Sequence, residues 1–456
     1  MSSRSIVTAS GQSLPAADQR TIWALSWPII LSNITVPLLG LIDTAILGHL
    51  DEIEPLAAVA IGAQLFTLLI WSFGFLRMGT TSLTARHLGG HGQQSTIRVL
   101  EQAVWLIIPV SLICLTLAYT LIPVVLPLYQ ASSEVTAGAG HYLAIRSAGI
   151  PLVLLQYALT GWFIGRGETR IPMVMLISAN LINAAVDFLL VWHFSMGVAG
   201  VAIGSLCADA TAVIVALAAA WQRGLRFPLR RPWFEFQRQM LRVNSDLFVR
   251  TFCLLMVFAL FTALGARQSS EVLAANAILI TLLLFISNAL DGFAHATETL
   301  TGQYLGARHY VALPRICFLT LTDSALVAAG LAAILYWGGD TLLMLLTDQP
   351  ALIPQLMDIH LWLWLLPVTG FLSYWLDGLM IGAQATRAMR NTMLIAAVVI
   401  FAPLATLPLW SENWHLTGVR NENTLLWIAF HVFLLARASL LFPTFLTLCR
   451  NPAKFS

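Results

Sequence analysis

Residues 47–61 read Leu47-Gly48-His49-Leu50-Asp51-Glu52-Ile53-Glu54-Pro55-Leu56-Ala57-Ala58-Val59-Ala60-Ile61, and residues 264–278 read Leu264-Gly265-Ala266-Arg267-Gln268-Ser269-Ser270-Glu271-Val272-Leu273-Ala274-Ala275-Asn276-Ala277-Ile278. Leu-Gly, and then Leu-Ala-Ala-x-Ala-Ile, return without a gap at an offset of 217. The same offset lays Leu83-Thr84 and Leu88-Gly89 on Leu300-Thr301 and Leu305-Gly306. It also lays Gly161, Ile164-Gly165 and Thr169-Arg170 on Gly378, Ile381-Gly382 and Thr386-Arg387. Shared hydrophobicity does not hold one register over such a stretch, so the chain reads as a duplication.

The composition says what was duplicated. Of 456 residues, 58% are hydrophobic and 10% charged, 24 basic and 22 acidic, for a net charge of +2; the mean hydropathy is +0.80. Water-soluble domains carry roughly 25% charged residues, so a soluble domain, a disordered chain and a basic nucleic-acid binder are excluded. No charge falls between Thr21 and Ile42, between Gln102 and Ser133, or between Asn391 and Ser411. Each stretch is long enough to cross a bilayer core, which takes about 20 helical residues. Cys114, Cys207, Cys253, Cys317 and Cys449 stand singly, so neither a disulfide framework nor a zinc site is expected. The apolar run after the polar first 20 residues is too long for a signal peptide and is read as a retained helix.

Apolar segments near 21–47, 56–84, 98–124, 142–165, 170–193, 197–221, 240–266, 272–302, 313–339, 358–383, 388–411 and 424–449 predict an all-α integral membrane protein with twelve transmembrane helices. Arg86, Arg98, Arg166, Arg170, Arg308, Arg315, Arg387, Arg390 and the 223–242 segment fall in one set of loops, against Arg146, Arg267 and Arg420 in the other. The positive-inside rule then places both termini in the cytoplasm. Residues 222–239, rich in Arg and broken by Pro228 and Pro232, are the expected linker. The organisation is a tail at 1–20, an N-lobe of helices 1–6 at 21–221, the linker, a C-lobe of helices 7–12 at 240–450 and a tail at 451–456. Six spans per copy make the two lobes pseudo-symmetric about the membrane normal, an arrangement suited to alternating access.

A charge near the bilayer centre costs on the order of 3 kcal/mol on insertion scales. Seven carboxylates bear on this: Asp43, Asp187, Asp209, Asp291, Glu298, Asp323 and Asp377. Asp43 and Asp187 fall in the outer half of the N-lobe, with Asn183 one turn before Asp187 and Asn180 close to a further turn back. Ser205 lies at similar depth in the sixth span, and Asp209 one turn deeper. At +217, Asp43, Asn183, Asp187 and Asp209 correspond to Leu260, Ile400, Leu404 and Leu426, so this polar group breaks the repeat. Two carboxylates close together in low dielectric do not both stay ionised cheaply, which suits Asp43 and Asp187 to proton coupling. The same oxygens, with Asn183 and Ser205, could instead coordinate a small cation such as Na+. In the C-lobe, Asp291, Glu298, Asp377 and Arg437 form a second polar cluster, with Arg437 expected to pair with Asp377 or Asp291. Glu298 and Asp323 read either as lateral relay groups or as hydrogen bonders between helices, and the second reading is the one preferred. Pro28 and Pro37 remove backbone bonds from the first span and permit a bend.

Residues 28–37 (Pro-Ile-Ile-Leu-Ser-Asn-Ile-Thr-Val-Pro), Leu41-Ile42-Asp43-Thr44-Ala45, Leu290-Asp291-Gly292-Phe293-Ala294, and Leu376-Asp377-Gly378 with Ile381-Gly382-Ala383 resemble the multidrug and toxic compound extrusion (MATE) family, most closely its DinF-like bacterial branch. The resemblance runs from about Trp23 to Arg450. It implies the MATE/MOP-type fold and a secondary active exporter that exchanges amphipathic or cationic compounds for protons or sodium ions. It further implies an N-lobe cation site on an aspartate of helix 1, an Asn-xxx-Asp pair of helix 5 and a hydroxyl of helix 6, here Asp43, Asn183 with Asp187, and Ser205 in place of a threonine. A proline fifteen residues before the helix 1 aspartate is the family's proposed bending point, and Pro28 holds that position. Sodium-coupled relatives place a glutamate in helix 7 opposite the helix 10 aspartate; this helix 7 has Asp246 near its start and no glutamate, which favours protons.

The expectation is a proton-driven multidrug antiporter of the bacterial inner membrane, monomeric, with membrane lipids around it and no organic cofactor or nucleic-acid partner. The alternatives are sodium coupling at the same N-lobe site and a lipid-linked saccharide flippase of the same superfamily; the latter wants a cationic cavity, whereas Arg437 is the one deep basic residue expected here. An enzyme is not expected, since no GxSxG, HExxH or GxGD string occurs.

Overall fold

The computed structural model describes residues 6–7, 13–48, 54–226, 229–230, 234–346, 349, 352–411 and 421–455, with 6, 7, 13, 34, 36–48, 234, 235 and 345 described by backbone alone. Two short strands, β1 (Ile6–Val7) and β2 (Ser13–Leu14), pair antiparallel with Ile6 opposite Leu14. The helices that follow are α1 (Gln19–Gly48), α2 (Glu54–Trp71), α3 (Phe75–His91), α4 (Gln93–Val125), α5 (Ser133–Ser147), α6 (Ile150–Gly165), α7 (Arg170–Phe188) and α8 (Gly197–Gln222). Then come α9 (Phe234–Gln268), α10 (Ser270–Gly306), α11 (Leu313–Leu346), α12 (Ile353–Gly382), α13 (Thr386–Leu394), α14 (Ala402–Ala405), α15 (Leu407–Trp410) and α16 (Glu422–Arg450).

Ten helical runs among the described residues are long and apolar enough to cross a membrane, α2 and α3 counting as one run from Glu54 to His91. The pair α5 and α6, bent by 52°, makes an eleventh, and the 30-residue α1 supplies the remaining span. The twelve-helix fold is therefore the one observed. The bend between α5 and α6 falls where the sequence permits it, at Gly149 and just before Pro151 in the first turn of α6. Helix starts are capped where short polar side chains stand: Ser132 accepts from the Val135 N–H, Ser269 from Val272 and Asn421 from Thr424.

The chain divides into two compact units, Leu31–Asn244 and Met1–Ile30 with Ser245–Ser456. Within the first, Leu159, Trp162, Phe163, Met175, Ala208 and Ala212 pack into a core. Within the second, Phe261, Leu279, Leu363, Phe401, Trp427 and Phe433 do the same. Side chains within the spans such as Phe318 (67% exposed) and Ile334 (67%) look outward, as lipid-facing residues do.

The 217-residue offset is realised atom by atom. In the first unit, Gly161 of α6 lies against the Arg77 carbonyl of α3, and a Cβ there would come within 2.4 Å of that oxygen. In the second, Gly378 of α12 lies against the Ala294 carbonyl of α10, at 2.2 Å by the same measure. One turn on, Gly165 meets the Thr81 carbonyl and Thr84, and Gly382 meets the Glu298 carbonyl and Thr301. Every residue in the second set is its counterpart in the first plus 217. Each crossing brings two helix backbones together at a distance only glycine allows, the small-residue contact on which membrane helices pack.

Candidate functional site

α7 carries the polar group singled out in the N-lobe. Its residues 180–187, Asn-Leu-Ile-Asn-Ala-Ala-Val-Asp, put Asn183 and Asp187 one turn apart on one face, and both are fully buried at 0% exposure. Neither carboxamide atom of Asn183 has a hydrogen-bond partner among the described residues. A buried amide without partners forfeits about 1–3 kcal/mol. The neighbouring helix makes room for the carboxylate: at Gly204 of α8 a Cβ would lie 1.7 Å from Asp187 Oδ1. Ser205, half-buried, is the next residue on α8. Asn180, half-buried, donates from Nδ2 to the Thr35 carbonyl of α1 at 3.3 Å. The side chains of Asp43 and Pro37 lie outside the described residues, while Pro28 is buried in an α1 that runs helical from Gln19 to Gly48.

Asp209 is engaged elsewhere. Arg146 Nη1 donates to its Oδ2 at 2.6 Å. Arg146 was expected in an outer loop; it lies in the last turn of α5 and is 8% exposed. Its guanidinium sits 4.2 Å over the Phe66 ring and donates a hydrogen bond to the Tyr142 hydroxyl oxygen. The physical reason for the difference is the pairing itself, since a carboxylate, a phenol and an aromatic face together replace the water that an arginine otherwise keeps.

In the second unit Asp377 of α12 receives two guanidiniums on one oxygen, Oδ2: Arg437 of α16 and Arg250 of α9. Arg437 also faces the rings of Phe433 and Tyr374. The expectation of one deep arginine is corrected: Arg146, Arg250 and Arg437 are all buried, each against a carboxylate. Sequence reasoning passed over Arg250 because it stands amid the polar start of its span, four residues after Asp246, where both read as end-of-helix charges. Asp246 is itself buried and accepts from Thr386 Oγ1 at 2.9 Å and Arg390 Nη1 at 2.7 Å. Glu298 lies 3.1 Å from His295 on the same helix, and Asp291 is half-buried on α10. No group of three or more potential metal ligands occurs among the described residues.

The fold and these buried, helix-borne charges define a multi-pass membrane protein built from two copies of one helical unit. The MatE family matches residues 28–189 and 247–407, one match in each copy. DNA damage-inducible protein F of Escherichia coli K12 is 36% identical over 427 residues, covering 92% of this chain and 90% of that protein. A probable multidrug resistance protein NorM of Geobacillus kaustophilus is 25% identical, covering 86% of this chain and 88% of that one. Among solved structures, an outward-facing multidrug resistance MATE transporter of the MOP superfamily superposes with a TM-score of 0.81 at 18% identity, over 96% of this chain and 97% of that one. A MOP superfamily transporter from Pyrococcus furiosus superposes with a TM-score of 0.82, also at 18% identity, over 95% of this chain and 96% of that one. The chain belongs to the MatE family.

Proposed function

We propose that this protein is a secondary active multidrug exporter of the bacterial inner membrane that moves amphipathic or cationic organic compounds outward against protons by alternating access between two six-helix lobes. The observation that carries the reading is the buried Asn183 and Asp187 pair on α7, with Gly204 of α8 leaving the carboxylate its space. A buried carboxyl beside an amide with no partner among the described residues is a place where a proton can be exchanged for a cation. Asp43 completes this site from helix 1, with Asn180 and Ser205 at its edge, and a bend of helix 1 near Pro28 passes the change of charge to the substrate cavity. Asp209 contributes through Arg146 rather than as an open acid.

Sodium can occupy the same oxygens, and a direct experiment separates the ions. The full chain is reconstituted in liposomes with a fluorescent cationic substrate, and either a pH or a sodium gradient is imposed. Uptake driven by the pH gradient alone, and abolished in Asp187→Asn and Asp43→Asn, is the expected result. Uptake driven by sodium alone would overturn the proton assignment, and full-rate transport by both variants would overturn the site. The saccharide flippase reading needs cationic groups open to an anionic headgroup; the three buried arginines are instead engaged by Asp209 and Asp377.

A further inference from the structure

We propose that Asp323 is a proton-binding residue of the C-terminal unit, and that its ionised carboxylate clamps the first turns of α1 to α11. Asp323 lies ten residues into α11 and is 1% exposed. Its Oδ1 accepts from Gln19 Nε2, the first residue of α1. The Trp23 indole, one turn further along α1, acts on the same carboxyl, and Oδ2 has no hydrogen-bond partner among the described residues. Both contacts come from neutral side chains. Every other buried carboxylate discussed above for this unit has a guanidinium or an imidazole beside it; Asp323 has neither among the described residues.

The charged groups of the neighbouring elements are engaged elsewhere. From α10, Glu298 lies with His295. From α12, Asp377 is shared by Arg250 and Arg437, and Trp375 gives its indole N–H to Thr320, one turn before Asp323. On α11 itself Arg315 acts, with Asp18, on Tyr304. Arg20 of α1 is exposed. A buried carboxylate with no cation is the least favourable state this environment offers, and a proton is the simplest group that neutralises it.

The clamp follows from the same geometry. A hydrogen bond to a carboxylate is roughly twice as strong as one to a neutral acid, so a proton on Asp323 weakens what Gln19 holds. The root of α1 keeps its other anchors: Leu14 is buried, the Tyr304 hydroxyl donates to the Pro15 carbonyl at 2.7 Å, and Trp23 packs edge-on against Phe293 at 5.2 Å. Protonation thus loosens the first turns of α1 without detaching them. This inference stands independently of coupling at Asp43 and Asp187, because neither readout below involves transport.

The test uses the full chain reconstituted in liposomes. Infrared difference spectra between acid and alkaline buffer report protonated carboxyl groups. A spin label on Arg20→Cys, with the five native cysteines replaced by alanine, reports mobility at the root of α1. We expect a carboxyl band that Asp323→Asn removes and Asp323→Glu restores, and a label that becomes more mobile in acid. In Asp323→Asn the label should be mobile at every pH. Gln19→Leu, at an exposed position with little risk to folding, should also free the label at every pH while the carboxyl band persists. An acid-induced band left intact by Asp323→Asn overturns proton binding at this residue. A label indifferent to pH, to Asp323→Asn and to Gln19→Leu overturns the clamp.

Discussion

Arg146 at the end of α5 donates to Asp209 Oδ2 of α8 at 2.6 Å, with both side chains largely out of solvent. The arginine stands two residues before the 52° bend into α6, so the ion pair fixes the broken span to its neighbour at the break. Gly149 is part of the arrangement, since a Cβ there would meet Leu206 at 2.5 Å and Arg146 Nη1 at 3.3 Å. Removing one partner of a buried pair strands the other charge and costs about 3–5 kcal/mol. Arg146→Ala and Asp209→Ala should each lower thermal stability in detergent by that order. Arg146→Met with Asp209→Leu should recover most of the loss, and a double-mutant cycle on unfolding temperatures measures the coupling.

Asp377 differs from Asp209 in serving two guanidiniums at once. Asp377→Asn leaves the charges of Arg250 and Arg437 with only a neutral carboxamide between them, whereas Arg250→Gln leaves a one-to-one pair of Arg437 with Asp377. The order of damage is therefore set by charge balance. Asp377→Asn should destabilise by about 3 kcal/mol or more, and Arg250→Gln by clearly less, read from the fraction of monodisperse protein after graded heating. Equal losses would mean that the two arginines do not share the charge of one carboxylate.

The glycines of the repeat give a prediction that covers both units. Gly165→Ala would push a Cβ to 2.6 Å from the Thr81 carbonyl, and Gly382→Ala to 2.5 Å from the Glu298 carbonyl. Neither obstacle is the flexible end of a side chain, so the helices must separate, at a cost of roughly 1–3 kcal/mol each. The two variants should lose similar stability, and Gly330→Ala on α11, with nothing within 4 Å of its Cβ position, should lose little beyond background.

This pairing also marks how far the sequence could be read. Gly161, Gly165, Gly378 and Gly382 were found as a repeat in one dimension, and the structure turns each into a backbone contact, because a site where helices touch tolerates one residue type and so preserves register. Span number followed from charge-free length in the same way, and a carboxylate partner for Arg437, either Asp377 or Asp291, from the expense of a lone buried guanidinium; the structure selects Asp377. Arg146 and Arg250 were not legible. Both sit near the ends of apolar runs, where a charged residue ordinarily reaches water, and only the positions of Asp209 on α8 and Asp377 on α12 reveal that each turns inward. The Gln19 contact to Asp323 joins residues 304 positions apart, a separation no local pattern encodes.

Gly204 offers a test of the α7 site that leaves every polar group in place. A methyl group there would sit 1.7 Å from Asp187 Oδ1 and 2.8 Å from its carboxyl carbon, so Asp187 must rotate or α8 must withdraw. The carboxylate is at the far end of a short side chain rather than backbone, and rotation is the smaller adjustment. Gly204→Ala should therefore fold and reach the membrane at close to the normal level while gradient-driven transport falls at least tenfold, the signature of an acid displaced from its partners. Gly200→Ala, one turn earlier on the same helix and close to Leu190 and Val191 instead of a carboxylate, is the matched control and should retain transport. Comparable transport by the two variants, at comparable expression, would show that the position of Asp187 against α8 does not matter to the cycle.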